Sequence, residues 1–257
     1  MIDPHIYDFS TQQWLILVIC AISVGIAKTG IPGFGTFVVP LIATVMLPLP
    51  STGLLLGLLI LADIFAAIYY RRHAQWHHIW GLLPWALAGI IGGYLLMGRI
   101  NNETLRPIIA VTVLVMLAWG FLRKNDAQPD DGSVRHSKPY VIFMGFAAGF
   151  TTMLANAAGP VMTVYLLASG LPKNNFIGTA AWFFFIINWL KVPFQIGLGG
   201  INLHSVKTDM MLFPAIIVGA ILGILVLRKL PQKVFNIAVA ILTAFAAIKL
   251  LPIKFSF

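Results

Sequence analysis

Residues 28–36, Lys-Thr-Gly-Ile-Pro-Gly-Phe-Gly-Thr, cut an apolar run that extends from near residue 12 to near residue 47. A similar cut, Thr152–Pro160, divides the run from 139 to 171. The arms on either side hold roughly 15–17 residues each, short of the ~20 that comfortably span a bilayer. Backbone broken by Pro and Gly is tolerated in hydrocarbon only where it is buried in protein or lines a cavity. Matched interruptions in two halves of a membrane chain mark the place where such a fold binds a small molecule.

The membrane assignment follows from composition. The chain has 257 residues, 59% hydrophobic and only 10% charged, against about 25% charged in soluble domains. Apolar blocks cover approximately 12–27, 33–47, 51–70, 78–97 and 104–122, then 139–155, 157–171, 175–197, 206–227 and 233–251. They leave no room for an appended soluble enzyme. The net charge of +9 comes from Lys and Arg that mostly flank apolar blocks; it reads as a topology signal, and no nucleic-acid partner is expected. The single Cys20 lies in an apolar run and builds no disulfide framework. Residues 1–11 contain no Lys or Arg, so no cleavable signal peptide is expected.

Five blocks, a polar stretch and five more blocks imply an internal duplication. A shift of 124 residues places Gly25 on Gly149, Gly35 on Gly159 and Leu47-Pro48 on Leu171-Pro172; one further residue of slip places Asp63 on Asn188. The expected organisation is a first transmembrane repeat at 1–122, a cytoplasmic linker at 123–138 and a second repeat at 139–257.

Loop charge sets sidedness. Arg71 and Arg72 follow the third block, Arg123, Lys124, Arg135 and Lys138 occupy the linker, and Arg228, Lys229 and Lys233 join the last two blocks. Placing all three groups in the cytoplasm puts both termini outside it. The acidic N-terminal segment with Asp3 and Asp8 fits; Arg99 and Arg106 are weak exceptions. Each half then crosses an odd number of times, and the repeats are inverted about an axis in the membrane plane. The competing arrangement, eight spans in two parallel fours, puts Arg71-Arg72 and Arg228-Lys229 on opposite faces. The expectation is an all-α polytopic membrane protein of two inverted repeats. Each repeat has a broken or re-entrant helix pair plus three transmembrane helices, giving 8–10 membrane segments.

The chemistry at the breaks suits an anion. Pro32 donates no backbone hydrogen bond, and Gly30, Gly33 and Gly35 accept unusual dihedrals. A second arm starting near Gly33 presents N–H groups without intrahelical partners and a partial positive charge, an arrangement that binds anions. Thr29 and Thr36 add hydroxyls, and Lys28 adds a full charge unless fully spanning arms leave it in a cytoplasmic loop. The second break repeats the plan with Thr151, Thr152, Asn156, Ala157, Ala158 and Gly159, followed by Pro160. The competing reading makes both cuts plain loops whose glycines serve close packing. Asp63, Asn188, Lys191 and Gln195 lie inside apolar blocks, and the last three share one helical face. A charge at mid-bilayer costs about 2.5–3.5 kcal/mol, so Asp63 is a candidate for ion coupling; the competing readings pair it with a cation or give it a purely structural hydrogen-bond role. Asn188 reads as a partner for a neighbouring helix or the broken backbone. Lys191 binds substrate or snorkels to the outer surface. Trp182 and Phe183–Phe185 read as packing.

Other chemistries lack their residues. His73, His77 and His78 sit beside Arg71 and Arg72, which repel a metal; His204 and Asp209 have no second His, Cys or Glu to complete a site. No Walker A, dinucleotide or nucleophile-elbow motif occurs. No metal, cofactor or enzymatic activity is expected.

Gly25-Ile-Ala-Lys-Thr-Gly-Ile-Pro-Gly-Phe-Gly-Thr-Phe-Val-Val-Pro40, followed by Gly145–Pro160 and by Gly178-Thr179 with Asn188-x-x-Lys191, resembles the TauE/SafE sulfite exporter family over essentially the whole chain. The resemblance implies a multi-pass permease of a bacterial-type inner membrane. It also implies small sulfur-containing anions as substrates, among them sulfite, sulfoacetate and other organosulfonates, with export in many members. The chain departs from the commoner pattern at Asn156-Ala-Ala-Gly-Pro160, where a further glycine pair often precedes the proline; the pocket there is narrower or differently donated. The substrate-binding candidates are Lys28, Thr29, Gly30, Gly33, Gly35, Thr36, Thr152, Asn156, Ala157, Gly159, Asn188 and Lys191. Expected partners are the anion and membrane lipid, and a homo-oligomer is compatible with the sequence. The alternatives are a permease for a different anion or for a cation, and a membrane protein without a transport path.

Overall fold

In the computed structural model the described residues are Tyr7, 9–32, 38–42, 44–46, 48–96 and 136–250. They form α1 (Thr11–Thr29), α2 (Val38–Ile42), α3 (Pro48–Tyr69), α4 (Trp76–Leu96), α5 (Lys138–Ala155), α6 (Ala158–Ala168), α7 (Lys173–Gly197), α8 (Leu203–Lys229) and α9 (Gln232–Leu250), with no strand among them. The expected block at 104–122, the linker cations Arg123, Lys124 and Arg135, the outer-loop Arg99 and Arg106, and Asp3 and Asp8 lie outside the described residues.

Helices α1, α3, α4, α7 and α8 are each long and apolar enough to cross a bilayer. Their apolar side chains face both inward and outward: Leu15, Ile68, Trp80, Leu95 and Met211 are among the large apolar residues on the outside, while Asp63, Asn188, Lys191, Gln195 and Asp209 are buried. A helix that is apolar all round belongs in lipid. The chain is a polytopic, all-helical membrane protein.

Local sequence sets the ends. Ser10 starts α1 through a capping box, its Oγ accepting from the Gln13 N–H while Gln13 Oε1 accepts from the Ser10 N–H. Asn202 and Ser205 do the same for α8. Helix α1 stops at Gly30 and α5 at Asn156, so both sequence cuts are real ends of helices. The returning arm α6 has 11 residues, about 16 Å at 1.5 Å per residue, half of a ~30 Å hydrocarbon core. Ser169, just past its end, lies 2.8 Å from His136, so the arm returns to the side on which α5 begins.

Contacts fix the directions. Tyr7 and Asn202 lie together at the starts of α1 and α8, and Thr29 reaches Ala220 near their ends, so the two helices run parallel. The Gln13 amide donates to the Val45 carbonyl, which returns the first hairpin to the end from which α1 began. Helices α4 and α5 also run parallel, Gly145 facing Leu82 and Gly93 facing Met153. Helices α3 and α7 are antiparallel: Gly53 meets Gly200, Asp63 meets Asn188 and Tyr70 meets Gly178. Arg228 donates to the Tyr69 hydroxyl at 3.0 and 2.6 Å, and Lys173 donates to the Leu227 carbonyl at 2.9 Å. Arg71-Arg72, Lys173 and Arg228-Lys229 therefore share one face, against the arrangement of eight spans in two parallel fours.

Two apolar clusters form the interior. One joins α1, α2, α3 and α8 around Leu17, Leu54, Ile42 and Ile216; the other joins α4, α5, α6 and α7 around Leu82, Ala148, Val161 and Phe183. Both include a parallel seam with glycines at the closest approach. A Cβ on Gly25 would lie 2.5 Å from the Ile216 carbonyl oxygen and one on Gly149 1.9 Å from that of Ala86. On the facing helices, Gly219 lies on Ile22 and Gly89 on Phe146. Small residues are what let helix backbones approach this closely in lipid. The α3–α7 contact lies between the clusters and carries the polar groups.

Candidate functional site

Asp63 and Asn188 meet about midway along the α3–α7 overlap. Asn188 Nδ2 donates to Asp63 Oδ2 at 2.7 Å, and Lys28 Nζ lies 2.7 Å from Asp63 Oδ1. Lys28 is in the last turn of α1, its side chain 12% exposed, with its ammonium 4.1 Å from the centre of the Phe184 ring. It is thus an interior residue and not a cytoplasmic loop lysine. The carboxylate, the ammonium and the aromatic face satisfy one another, as a buried ion pair requires.

Lys191 is one helical turn beyond Asn188 on α7 and is fully buried. It does not snorkel. Its ammonium donates to Thr152 Oγ1 at 3.1 Å and to Asn156 Oδ1. Both acceptors are neutral, and both come from the second hairpin tip. Among the described residues no carboxylate lies within ion-pair distance of Lys191. Asn156 has φ 51°, the left-handed conformation that ends α5, and Asn tolerates it better than most residues. Its Nδ2 donates to the Thr52 carbonyl at 3.3 Å at the start of α3.

Helix α6 begins immediately after this tip. Ala157 is its N-cap and provides no side-chain acceptor, so the first-turn N–H groups keep their donor capacity. Among the described residues, a Cβ on Gly159 would meet nothing within 4 Å. The described residues thus leave space at the helix start beside Asn156.

The remaining candidates divide between packing and undescribed positions. The Thr29 hydroxyl donates to the Gly25 and Ala220 carbonyls at 2.9 and 2.8 Å, and its own carbonyl accepts from the Tyr70 hydroxyl at 2.8 Å. Gly30 closes against Gly223. Both residues serve the α1–α8 seam. Thr151 bonds back to the Ala147 carbonyl. Gly33, Gly35 and Thr36 lie outside the described residues. A cavity of about 280 Å³ between Gly170–Pro172 and Gln232 and Asn236 lies at the rim, away from both breaks. Among the described residues no three His, Cys, Asp or Glu converge on a metal position.

Sequence reasoning missed Phe184 and Thr52. Phe184 extends the Asn188–Lys191–Gln195 stripe by one turn toward the N-terminus, a periodicity that could have marked it. The Thr52 contact is through a backbone carbonyl and leaves no trace in residue type.

A polytopic bundle with two interrupted helices and a buried charged centre has the architecture of a membrane transporter. The comparison with protein families agrees: the profile described as Sulfite exporter TauE/SafE matches residues 16–250. The chain belongs to the TauE/SafE sulfite exporter family, a transporter family rather than an enzyme family. No curated protein and no solved structure matches it.

Proposed function

We propose that the protein is a secondary transporter or channel-like permease that exports small sulfur-containing anions, sulfite, sulfoacetate or other organosulfonates, through a site at the tip of the second hairpin. One observation carries this reading. Lys191 is fully buried with neutral partners, while Asp63 is occupied by Lys28 and Asn188. The buried set Lys28, Asp63 and Lys191 thus has two cationic groups and one anionic group. An uncompensated charge in a membrane interior is costly, and an arriving anion supplies the missing counter-charge. Lys191, the Thr152 hydroxyl, the Asn156 amide and the first-turn N–H groups of α6 are donors for the several oxygens of a sulfonate or sulfite. Gly159 leaves room beside them.

In this reading residues 1–122 and 139–257 are an inverted pair joined by the linker. The support is reciprocal packing: the 124-residue shift that relates Gly25 to Gly149 also relates Ile22 to Phe146, and these residues meet equivalent glycines, Gly219 and Gly89. The shared basic face is cytoplasmic, and both termini are on the other side of a bacterial-type inner membrane. Export of an anion down an inside-negative potential gains about 2.3 kcal/mol per charge per 100 mV, so a uniporter suffices for outward flow.

The test is ligand-induced thermal stabilisation of the purified protein with sulfite, sulfoacetate, taurine, sulfate, chloride and a divalent cation. Stabilisation by a sulfur oxyanion that disappears in Lys191→Met is the expected result. Stabilisation by the divalent cation alone would overturn the proposal.

A further inference from the structure

We infer that Asp209 is a proton-binding site and that it, not Asp63, links the transport cycle to a proton gradient. Asp209 lies in the first third of α8 and is 4% exposed. Its carboxylate lies against the backbone of α3, where a Cβ on Gly57 would be 1.8 Å from Oδ2. Among the described residues its Oδ1 has no hydrogen-bond partner and the carboxylate has no ion-pair partner. Asp63, by contrast, has an ammonium on one oxygen and an amide donor on the other.

A second buried polar group lies nearby in the chain of contacts. Gln195 is fully buried with neither amide atom bonded among the described residues, and its Oε1 lies 2.4 Å from where a Cβ of Gly200 would be; Gly200 in turn lies on Gly53, one turn before Gly57. Two buried polar side chains without partners among the described residues, an acid and an amide, thus lie in the half of the bundle away from the basic face. An ionised carboxylate in such a place has nothing to balance it, whereas the acid form is neutral and can donate a hydrogen bond.

The groups facing Asp209 leave the proton as its ligand. Helix α3 presents Gly57, and its next ionisable residue is the already paired Asp63. Tyr7 covers the outer side, accepting from Asn202 Nδ2 at 3.3 Å and stacking on His204; burial raises its hydroxyl above the ordinary value, so it stays neutral. On α8 itself His204 and Lys207 are exposed. A lone carboxylate without further anionic ligands is a poor metal site. The step is simple: one carboxylate oxygen takes one proton, and the same O–H bond breaks on release. The α3–α8 seam stays closed over the neutral acid and opens to water when the acid ionises. The coupling part of this inference rests on the transporter reading; the proton site does not.

Two measurements on the full-length protein decide it. Infrared difference spectroscopy across a pH titration should show a protonated-carboxyl C=O band that is lost in Asp209→Asn and shifted in Asp209→Glu; no band, or one unchanged in Asp209→Asn, overturns the site. In proteoliposomes with sulfite, Asp209→Asn should retain anion counterflow within about threefold of the wild type while losing its response to an imposed pH gradient. An equal response in both proteins overturns the coupling. Absence of counterflow in the wild type itself would count against the transporter reading, and the infrared result would still decide the site.

Discussion

Both hairpins meet a long helix through a buried lysine, with the donor and acceptor on opposite sides. In the first half the hairpin supplies the lysine, Lys28, and the long helix α3 supplies the acceptor, Asp63. In the second half the long helix α7 supplies the lysine, Lys191, and the hairpin supplies the acceptors, Thr152 and Asn156. The 124-residue shift places Lys28 on Thr152, whereas Asp63 falls beside Asn188 and not on Lys191, so the two contacts use different positions of the long helix. The charge balance differs as well. The first contact is closed on itself: a carboxylate, an ammonium and an amide donor with little left to offer a ligand. The second has a full positive charge against neutral oxygens, beside an uncapped helix start. In the proposed reading the first contact is a structural lock and the second a site whose charge awaits a ligand.

The largest expected effect breaks the lock. Asp63→Ala leaves Lys28 buried without a counter-charge, and removing one partner of a buried pair destabilises by about 3–5 kcal/mol. Lys191→Met removes a charge that has no carboxylate partner among the described residues and should lower the melting temperature far less. The double variant Lys28→Met, Asp63→Leu should recover most of the stability lost in Asp63→Ala, because an apolar pair of similar volume substitutes well for a buried ion pair. Melting curves of the four proteins make the comparison; equal losses in Asp63→Ala and Lys191→Met would erase the proposed distinction between lock and site.

The next effect is on binding. A hydrogen bond to a charged group contributes about 1.5–3 kcal/mol, so Lys191→Met should weaken sulfur-anion binding by roughly 10- to 100-fold. The Lys28→Met, Asp63→Leu pair should shift the Kd only a few-fold. Isothermal titration with the best-stabilising anion reads both. If the double variant loses as much affinity as Lys191→Met, the first tip belongs to the site after all.

A third test concerns the frame. Gly25→Ala and Gly149→Ala each force a methyl into a backbone contact, and overpacking of this kind costs about 1–3 kcal/mol. The two should lower stability by similar amounts and leave the Kd unchanged. A large loss in one and none in the other would separate seams that the reciprocal packing treats as equivalents.

Much of this was legible in the sequence, for identifiable reasons. Apolar block lengths gave the helices because a bilayer demands long uninterrupted runs; α1, α3, α4, α7 and α8 fall where the blocks lie. Pro and Gly located the breaks because they act on the backbone locally. The match of Asp63 with Asn188, found as a weak internal similarity, turns out to be a direct hydrogen bond at the middle of the α3–α7 contact. What could not be read was partnership across the bundle. Lys28 and Lys191 looked alike as intramembrane cations, and their different roles depend on which side chains the fold places opposite them. Nor does residue type tell that Thr29 spends its hydroxyl on the α8 seam, or that Asp209, set beside a histidine, faces Gly57.

The smallest expected effect separates backbone from side chain at the second tip. Asn156 serves twice: it adopts the left-handed φ of 51° that ends α5, and its amide bonds Lys191 and the Thr52 carbonyl. Glycine takes that φ freely, so Asn156→Gly keeps the turn and removes only the side-chain donor and acceptor. A neutral hydrogen bond contributes about 0.5–1.5 kcal/mol, and the Kd should rise by about tenfold or less with the melting temperature nearly unchanged. Asn156→Ala loses the same side chain and adds about 1–2 kcal/mol of left-handed strain. Its Kd should match that of Asn156→Gly while its melting temperature falls further. If Asn156→Gly binds anion as well as the wild type, the residue is a turn former and the donor set reduces to Lys191, Thr152 and the start of α6.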